Sequence, residues 1–419
     1  MSAIVDGQDV APLETEPSAT SELTPECLDR EIQQSDTKLD LNPSVPAIGD
    51  EAFATAAATQ EASSFLPSAD LDGAYWTHVN PQNVVIDMGP LKLKAPAEFD
   101  PTKPPVILIH GAGGAPGDLS EYGQALEKSG HQVLYVDYDD MGVVTHKNAN
   151  LLAAALMKLR SICTLEGPAL TIVGHSMGGI IGIAALNTLA NPRWDGHKAG
   201  FATEPRAGFS RVHFTSLDSP WDGAPGCGTS FPVVGGLVRV ATLIARKPGA
   251  WEMRNNSQFY RRLFDTKLEG VDFRTYLADQ SMAGSPRTGF LRMLLSGSKH
   301  GEAWLARYFV DEITRDVGRM RRFELVQLGS FILRGKWPRG NRAFNRSKSL
   351  ERDERFAALR ARLIQQNVTP KHRRAFAAAV LETLHEVMGY KGDHMSVLDD
   401  ETVVREVVDA AQPKATPEQ

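Results

Sequence analysis

Between residues 83 and 190 the apolar positions alternate between two periods. Asn83–Met88 and Leu91–Ala95 are short runs around Gly89-Pro90, which predicts two strands and a turn. Val106–His110 is a compact apolar run that ends in Gly111-Ala112-Gly113-Gly114. Asp118–Ser129 has its apolar residues at helical spacing and stops at Gly130. Gln132–Asp137 reads as a strand, Ala149–Cys163 as a helix, Ala169–Val173 as a strand and Met177–Ala190 as a helix. Further on, Arg211–Leu217 and Val271–Leu277 have strand character, and Glu401–Ala411 is helical. Strands separated by helical runs predict βαβ units. The expected class is therefore α/β, with a mostly parallel central sheet and helices on both faces. The longest apolar stretch, Pro168 to Ala190, contains His175, Ser176 and several glycines, so it is assigned to a buried strand and helix and not to a membrane span.

Charge divides the 419 residues unequally. Residues 1–72 hold fifteen Asp/Glu against two Lys/Arg and only two aromatics, Phe53 and Phe65. Such a segment buries too little to offset its ordering entropy and is expected to be disordered. Residues 285–375 are the opposite, with twenty-one Lys/Arg against eight Asp/Glu, a local net of +13. Apolar residues recur there at helical spacing, as in Trp304, Tyr308, Phe309, Ile313 and Val317. The expected organisation is a disordered acidic region at 1–72, a core at 73–284, a basic helical cap or lid at 285–388, and the last part of the core at 389–419. The net charge of −6 gives no case for nucleic-acid binding. Cys27, Cys163 and Cys227 form no CxxC and no Cys/His cluster, so neither a disulfide framework nor a zinc site is expected. The N-terminus lacks an apolar h-region. The expected location is the cytoplasm, or outside the cell by export without a cleaved signal peptide.

The candidate chemistry sits at Gly174-His175-Ser176-Met177-Gly178. This is G-x-S-x-G between a predicted strand and a predicted helix, the context that gives the motif its meaning. A sharp turn there strains Ser176 and exposes its hydroxyl at a helix N-terminus, where developing negative charge is favoured. The glycines at 174 and 178 are needed because a Cβ would strike the neighbouring strand and helix. Upstream, Ile107–Gly114 is a strand followed by a glycine-rich loop. It suits an oxyanion hole, with the N–H groups of Ala112 and Met177 as donors. The same loop lacks both the P-loop lysine and the G-x-G-x-x-G fingerprint, which speaks against nucleotide binding.

Of eleven histidines, His394 in Lys391-Gly392-Asp393-His394-Met395-Ser396 sits on a late loop before the last helix and is the candidate base. His372 and His385 fall in helical runs, and the side chain of His175 is expected to point aside. Two aspartates end predicted strands in the right interval for the orienting acid. Asp279 is preferred and Asp218 is the alternative.

Together, ILIHGAGG, GHSMGG, SLDSPWDGAPG and GDHMSVL resemble the α/β-hydrolase fold, and within it bacterial triacylglycerol lipases and esterases. The likeness covers about residues 75–280 and 390–411. Glu252–Tyr260 is similar to the lipase segment that precedes the acid-bearing strand, which favours Asp279. Asp218 stands where lipases commonly carry glycine, and polyketide-type thioesterases place their acid there. The resemblance implies a serine hydrolase that cleaves carboxylic esters of lipid-like substrates through an acyl-Ser176, with no cofactor and no metal. The alternatives are an acyl thioesterase, a phospholipase whose basic segment meets anionic membranes, and a catalytically silent fold used for binding. Phe231, Val233, Val234, Leu237 and Val238 are candidates to line the acyl site.

Overall fold

The computed structural model describes residues 83–140, 142–191, 206–223, 252, 258–278, 322–335, 341–390 and 392–412. The chain divides into two units, Met1–Pro67 and Ser68–Gln419, and every described residue lies in the second. The expectations for the acidic region, for Trp304–Val317 and for Phe231–Val238 fall outside the described residues.

Eight strands form one sheet in the order β1-β2-β4-β3-β5-β6-β7-β8. They are β1 (Val84–Asp87), β2 (Leu91–Lys94), β3 (Pro105–Ile109), β4 (Gln132–Tyr138), β5 (Ala169–His175), β6 (Arg211–Leu217), β7 (Val271–Ala278) and β8 (Gly389–Tyr390). The β1–β2 and β2–β4 pairs are antiparallel, and β4, β3, β5, β6, β7 and β8 run parallel. The described helices are α1 (Ser120–Lys128), α2 (Thr145–Ile162), α3 (Met177–Ala190), α4 (Gln258–Arg262), α5 (Arg322–Arg334), α6 (Asn341–Arg352), α7 (Phe356–Gln365), α8 (Arg373–Val387) and α9 (Glu401–Ala411).

The central strands read as unbroken apolar runs because both faces are covered. In β3, Ile107 and Ile109 join α2 and α3 in one apolar cluster. The alternate residues Val106 and Leu108 join Tyr122 and Leu126 of α1 and Val403 and Val407 of α9 in another. Helix α3 is buried almost all round, as its apolar sequence requires. Helix α9 is amphipathic and starts at Asp400, whose carboxylate accepts the N–H groups of Thr402 and Val403, each at 3.0 Å.

Helices α5 to α8 lie between β7 and β8 and pack round an apolar cluster that includes Leu328, Phe331, Leu359, Phe376, Val380 and Leu384, with Leu277 of β7. No periodicity announces β8, which is only two residues long and pairs with Leu277 and Ala278 alone. The rest of the β7 edge is closed by the turn after α6. There the Asp353 carboxylate accepts the Thr275 N–H at 2.7 Å, and Glu354 N–H donates to the Phe273 carbonyl at 3.0 Å. A carboxylate thus stands in for the next strand. No helix among the described residues is long and apolar enough to cross a membrane.

Candidate active site

The site is assembled where β3, β5, β6 and β8 end. Strand β5 passes into α3 through Ser176, whose backbone is left-handed at φ 51° and ψ −122°. Few L-residues occupy such a conformation without compensation. Here the Ser176 N–H donates to the Leu217 carbonyl at 2.9 Å, and the Ser176 carbonyl accepts from Gly179 at 3.1 Å. The two motif glycines are held by backbone on every side. A Cβ on Gly174 would lie 2.5 Å from the Gly179 nitrogen, and one on Gly178 would lie 2.2 Å from the Ile109 carbonyl oxygen. This close approach presses the first turn of α3 against the start of the His110–Gly114 loop. Gly111 is hemmed in by side chains, where an added Cβ would lie 2.9 Å from both the Ser176 Cβ and His175 Nδ1.

Met177 is the first residue of α3, so its N–H has no acceptor within the helix. Ala112 lies on the facing loop and is half-buried. The loop is pinned by a carboxylate at either end. Asp140 accepts from Gly113, whose φ of 70° favours glycine, and Asp118 accepts from Ala115 at 3.0 Å. His110 stacks on Tyr138 with ring centroids 4.3 Å apart, and burial pulls its imidazole down to about 4, so it packs there as a neutral ring.

His394 reaches the site on a short turn after β8. Its neighbour Asp393 accepts the N–H groups of Met395 and Ser396, both at 2.9 Å, and its own N–H donates to Ser396 Oγ at 2.7 Å. Tyr390 of β8 donates to the Asp393 carbonyl. Tyr122 of α1 donates to the Val397 carbonyl at 2.5 Å. His394 Nδ1 lies 2.6 Å from Asp218 Oδ2, and both side chains are nearly excluded from solvent.

Asp218 follows β6 and is itself left-handed, at φ 47°. Its other carboxylate oxygen accepts the Ala278 N–H at 3.1 Å. Burial alone would raise the Asp218 carboxyl. The hydrogen bond and charge of His394, then the Ala278 N–H and Arg346, outweigh it and hold the group below the usual carboxylate range.

The structure therefore brings Ser176, His394, Asp218, Met177 and the Ala112 loop to one place. Asp279, the preferred acid on sequence grounds, lies outside the described residues, one position beyond the end of β7. His175 is not idle. Its Nε2 lies 2.9 Å from the His394 carbonyl oxygen, and the two rings sit 4.6 Å apart. Burial pulls the His175 imidazole down to about 3, and the nearby His394 adds to that effect, so Nε2 is a donor on a neutral ring. Nothing in the sequence signals this, nor the support given by Asp140 and Asp393, because each depends on contacts between distant segments.

No family model matches the sequence. No curated protein matches it. Solved structures that it is similar to include a lipase of Bacillus licheniformis in its mature form, at 17% identity over 48% of this chain and 75% of that one, with a TM-score of 0.31. An inhibited esterase B from Lactobacillus rhamnosis is similar at 15% identity over 59% and 80%, with a TM-score of 0.34. A deformylase from Pseudomonas putida is similar at 17% identity over 44% and 78%, with a TM-score of 0.28.

The chain's own topology decides the fold. A strained serine at a strand-to-helix turn, a facing loop after β3, and the order serine, aspartate, histidine along one mostly parallel sheet define it. This is the α/β-hydrolase fold. Within it, the acid paired with His394 sits after β6, one strand nearer the serine than the Asp279 position after β7.

Proposed function

We propose that the protein is a serine hydrolase that cleaves carboxylic esters of lipid-like substrates. The Asp218–His394 pair, set beside a strained Ser176 at the start of α3, carries this reading. In the proposed reaction Ser176 Oγ attacks the acyl carbonyl while His394 Nε2 takes its proton. The oxyanion is received by the N–H groups of Ala112 and Met177. His394 returns the proton to the leaving alcohol, which departs and leaves an acyl-serine. Water, activated by the same imidazole, then releases the acid. Asp218 accepts a hydrogen bond from Nδ1–H throughout, fixes the ring and favours its charged form.

A second reading, an acyl thioesterase, draws on the position of Asp218 after β6. The chemistry is the same with a thiol as leaving group.

The test is hydrolysis of matched acyl esters and acyl thioesters, from short to long chains, by the full chain and by Ser176→Ala. Ester turnover that Ser176→Ala abolishes supports the main reading. A preference for the thioester of the same acyl group moves the assignment to the second. Turnover that persists unchanged in Ser176→Ala overturns both.

A further inference from the structure

The loop Asp218-Ser219-Pro220-Trp221-Asp222-Gly223 carries the acid and is anchored at two further points. Trp221 is fully buried, 5.2 Å from the Phe264 ring and 5.7 Å from the Phe273 ring, and its indole N–H donates to Thr275 Oγ1 at 3.3 Å. Gly223, at φ 79°, closes the turn by donating to the Pro220 carbonyl at 2.8 Å. The second anchor comes from α6, among the helices between β7 and β8. Asp222 Oδ1 accepts the Arg346 N–H at 3.3 Å, and Asp222 Oδ2 lies 3.5 Å from Arg346 Nε. Both side chains are about nine-tenths buried, at 14% and 13% exposure.

The Arg346 charge serves two carboxylates. It pairs with Asp222 and also favours the ionised form of Asp218. Asp222 is a poor counter-ion. Burial pushes its carboxyl up to about 7 against the pull of Arg346 and the backbone N–H groups of Arg346 and Asn345, and Glu324 of α5 adds to the rise. Among the described residues, His394 faces Asp218, and His175 faces His394.

We infer that Arg346 is a positioning residue for the Asp218–His394 pair: it anchors the acid-bearing loop through Asp222 and keeps a positive charge within electrostatic reach of Asp218. The inference rests on the hydrolase reading and adds a part to it. The helices between β7 and β8 then tune the acid as well as packing on the sheet edge. Among the described contacts Arg346 meets Asp222 and not Ser176 or His394, so it acts through the acid-bearing loop.

Loss of the Arg346 charge makes the pair as a whole easier to protonate, because the cation favours the ionised Asp218. The acid limb of reactivity therefore moves to higher pH. A purely structural role predicts a different result, a loss of stability or of rate that is uniform across pH.

The experiment is the pH profile of Ser176 labelling by a fluorophosphonate, alongside kcat/KM for a short acyl ester, in the full chain and its variants. In Arg346→Gln the ratio of reactivity at pH 5.5 to that at pH 8 falls at least threefold below wild type. In Arg346→Lys, which keeps the charge, the ratio stays within twofold of wild type. In Asp222→Asn it is no lower than wild type. A lone Asp222 left by Arg346→Gln can prevent folding. The double variant Asp222→Asn/Arg346→Met removes the pair together and carries the same expectation as Arg346→Gln. A ratio unchanged in the charge-removing variants, or reduced equally in Arg346→Lys, overturns the inference while the hydrolase reading stands. Wild-type protein that is neither labelled nor active at any pH overturns the hydrolase reading, and the inference falls with it.

Discussion

Two of the four described non-glycine residues with positive φ are Ser176 and Asp218, the proposed nucleophile and the acid beside His394. Strain of this kind persists only where surrounding contacts enforce it. At Asp218 it accompanies the 2.6 Å contact with His394 Nδ1. Under the proposed mechanism, Asp218→Asn lowers kcat about 10⁴-fold, because an amide cannot hold the productive tautomer. Asp279→Asn leaves kcat within about tenfold, and steady-state kinetics on one ester separate the two. Gly178→Ala tests the elbow itself. With two backbone carbonyls under 3 Å from the added methyl, neither side chain rotation nor a small shift relieves the clash. A destabilisation of at least about 3 kcal/mol in urea unfolding is expected. The serine, the histidine and both glycines were legible in the sequence because one strand–turn–helix segment and one late loop contain them. The choice of acid was not. That Asp218 faces His394 depends on the sheet order and on two bonds that hold it, its own N–H donating to the Tyr276 carbonyl and its carboxylate accepting the Ala278 N–H.

At the scale of elements, periodicity located α3, β6 and α9 with their observed bounds, and β5 and β7 to within two residues. It did not find β8. A two-residue strand has no period, and its pairing is fixed from outside, by Tyr390 packing and by the helices that precede it. The same segment explains the β7 edge. Asp353 is wholly buried and bonds Thr275 N–H and Arg355, whose guanidinium lies over the Tyr276 ring at 4.6 Å. Asp353→Ala leaves the Thr275 N–H without its acceptor and Arg355 without its carboxylate partner, with the Thr275 carbonyl still accepting from the guanidinium. It is expected to cost about 3 kcal/mol by equilibrium unfolding and to increase association of the chain through the opened edge.

For the whole molecule, buried titratable groups make stability depend on pH in a calculable sense. His110 and His175 have native values lowered to about 4 and about 3, whereas the unfolded value is about 6.5. Between roughly pH 6.5 and 4 the unfolded chain therefore binds about two more protons than the native chain at these sites. Asp222 works against this. Its native carboxyl, raised to about 7, keeps a proton that the unfolded chain has lost, and the raised Asp118 acts in the same direction. The net is at most about one proton, so unfolding free energy should fall by up to about 1.4 kcal/mol per unit of acidification across this window. His175→Gln keeps a donor for the His394 carbonyl but cannot titrate. It should flatten or reverse the slope, as read from urea midpoints at several pH values. Below about pH 4 the lowered Asp218 adds a further loss, since its stabilisation is present above the unfolded value and disappears as pH falls through the native one.

The β5–β6 pairing sets His175 beside Leu217, so the residues that follow them, Ser176 and Asp218, are fixed in one register. Inserting one residue within either strand would turn a reacting group to the opposite face of the sheet. The chain between β7 and β8 is held less evenly: α6 and its following turn reach the acid-bearing loop through Arg346 and the β7 edge through Asp353, while α7 and α8 make neither of these bonds. For descent, this divides the gene into a segment where length is frozen and one where it is free to drift. Lineages that diverge from this chain would keep strands β5 and β6 to the residue and retain α6 with its turn, while the length of the other segments between β7 and β8 varies.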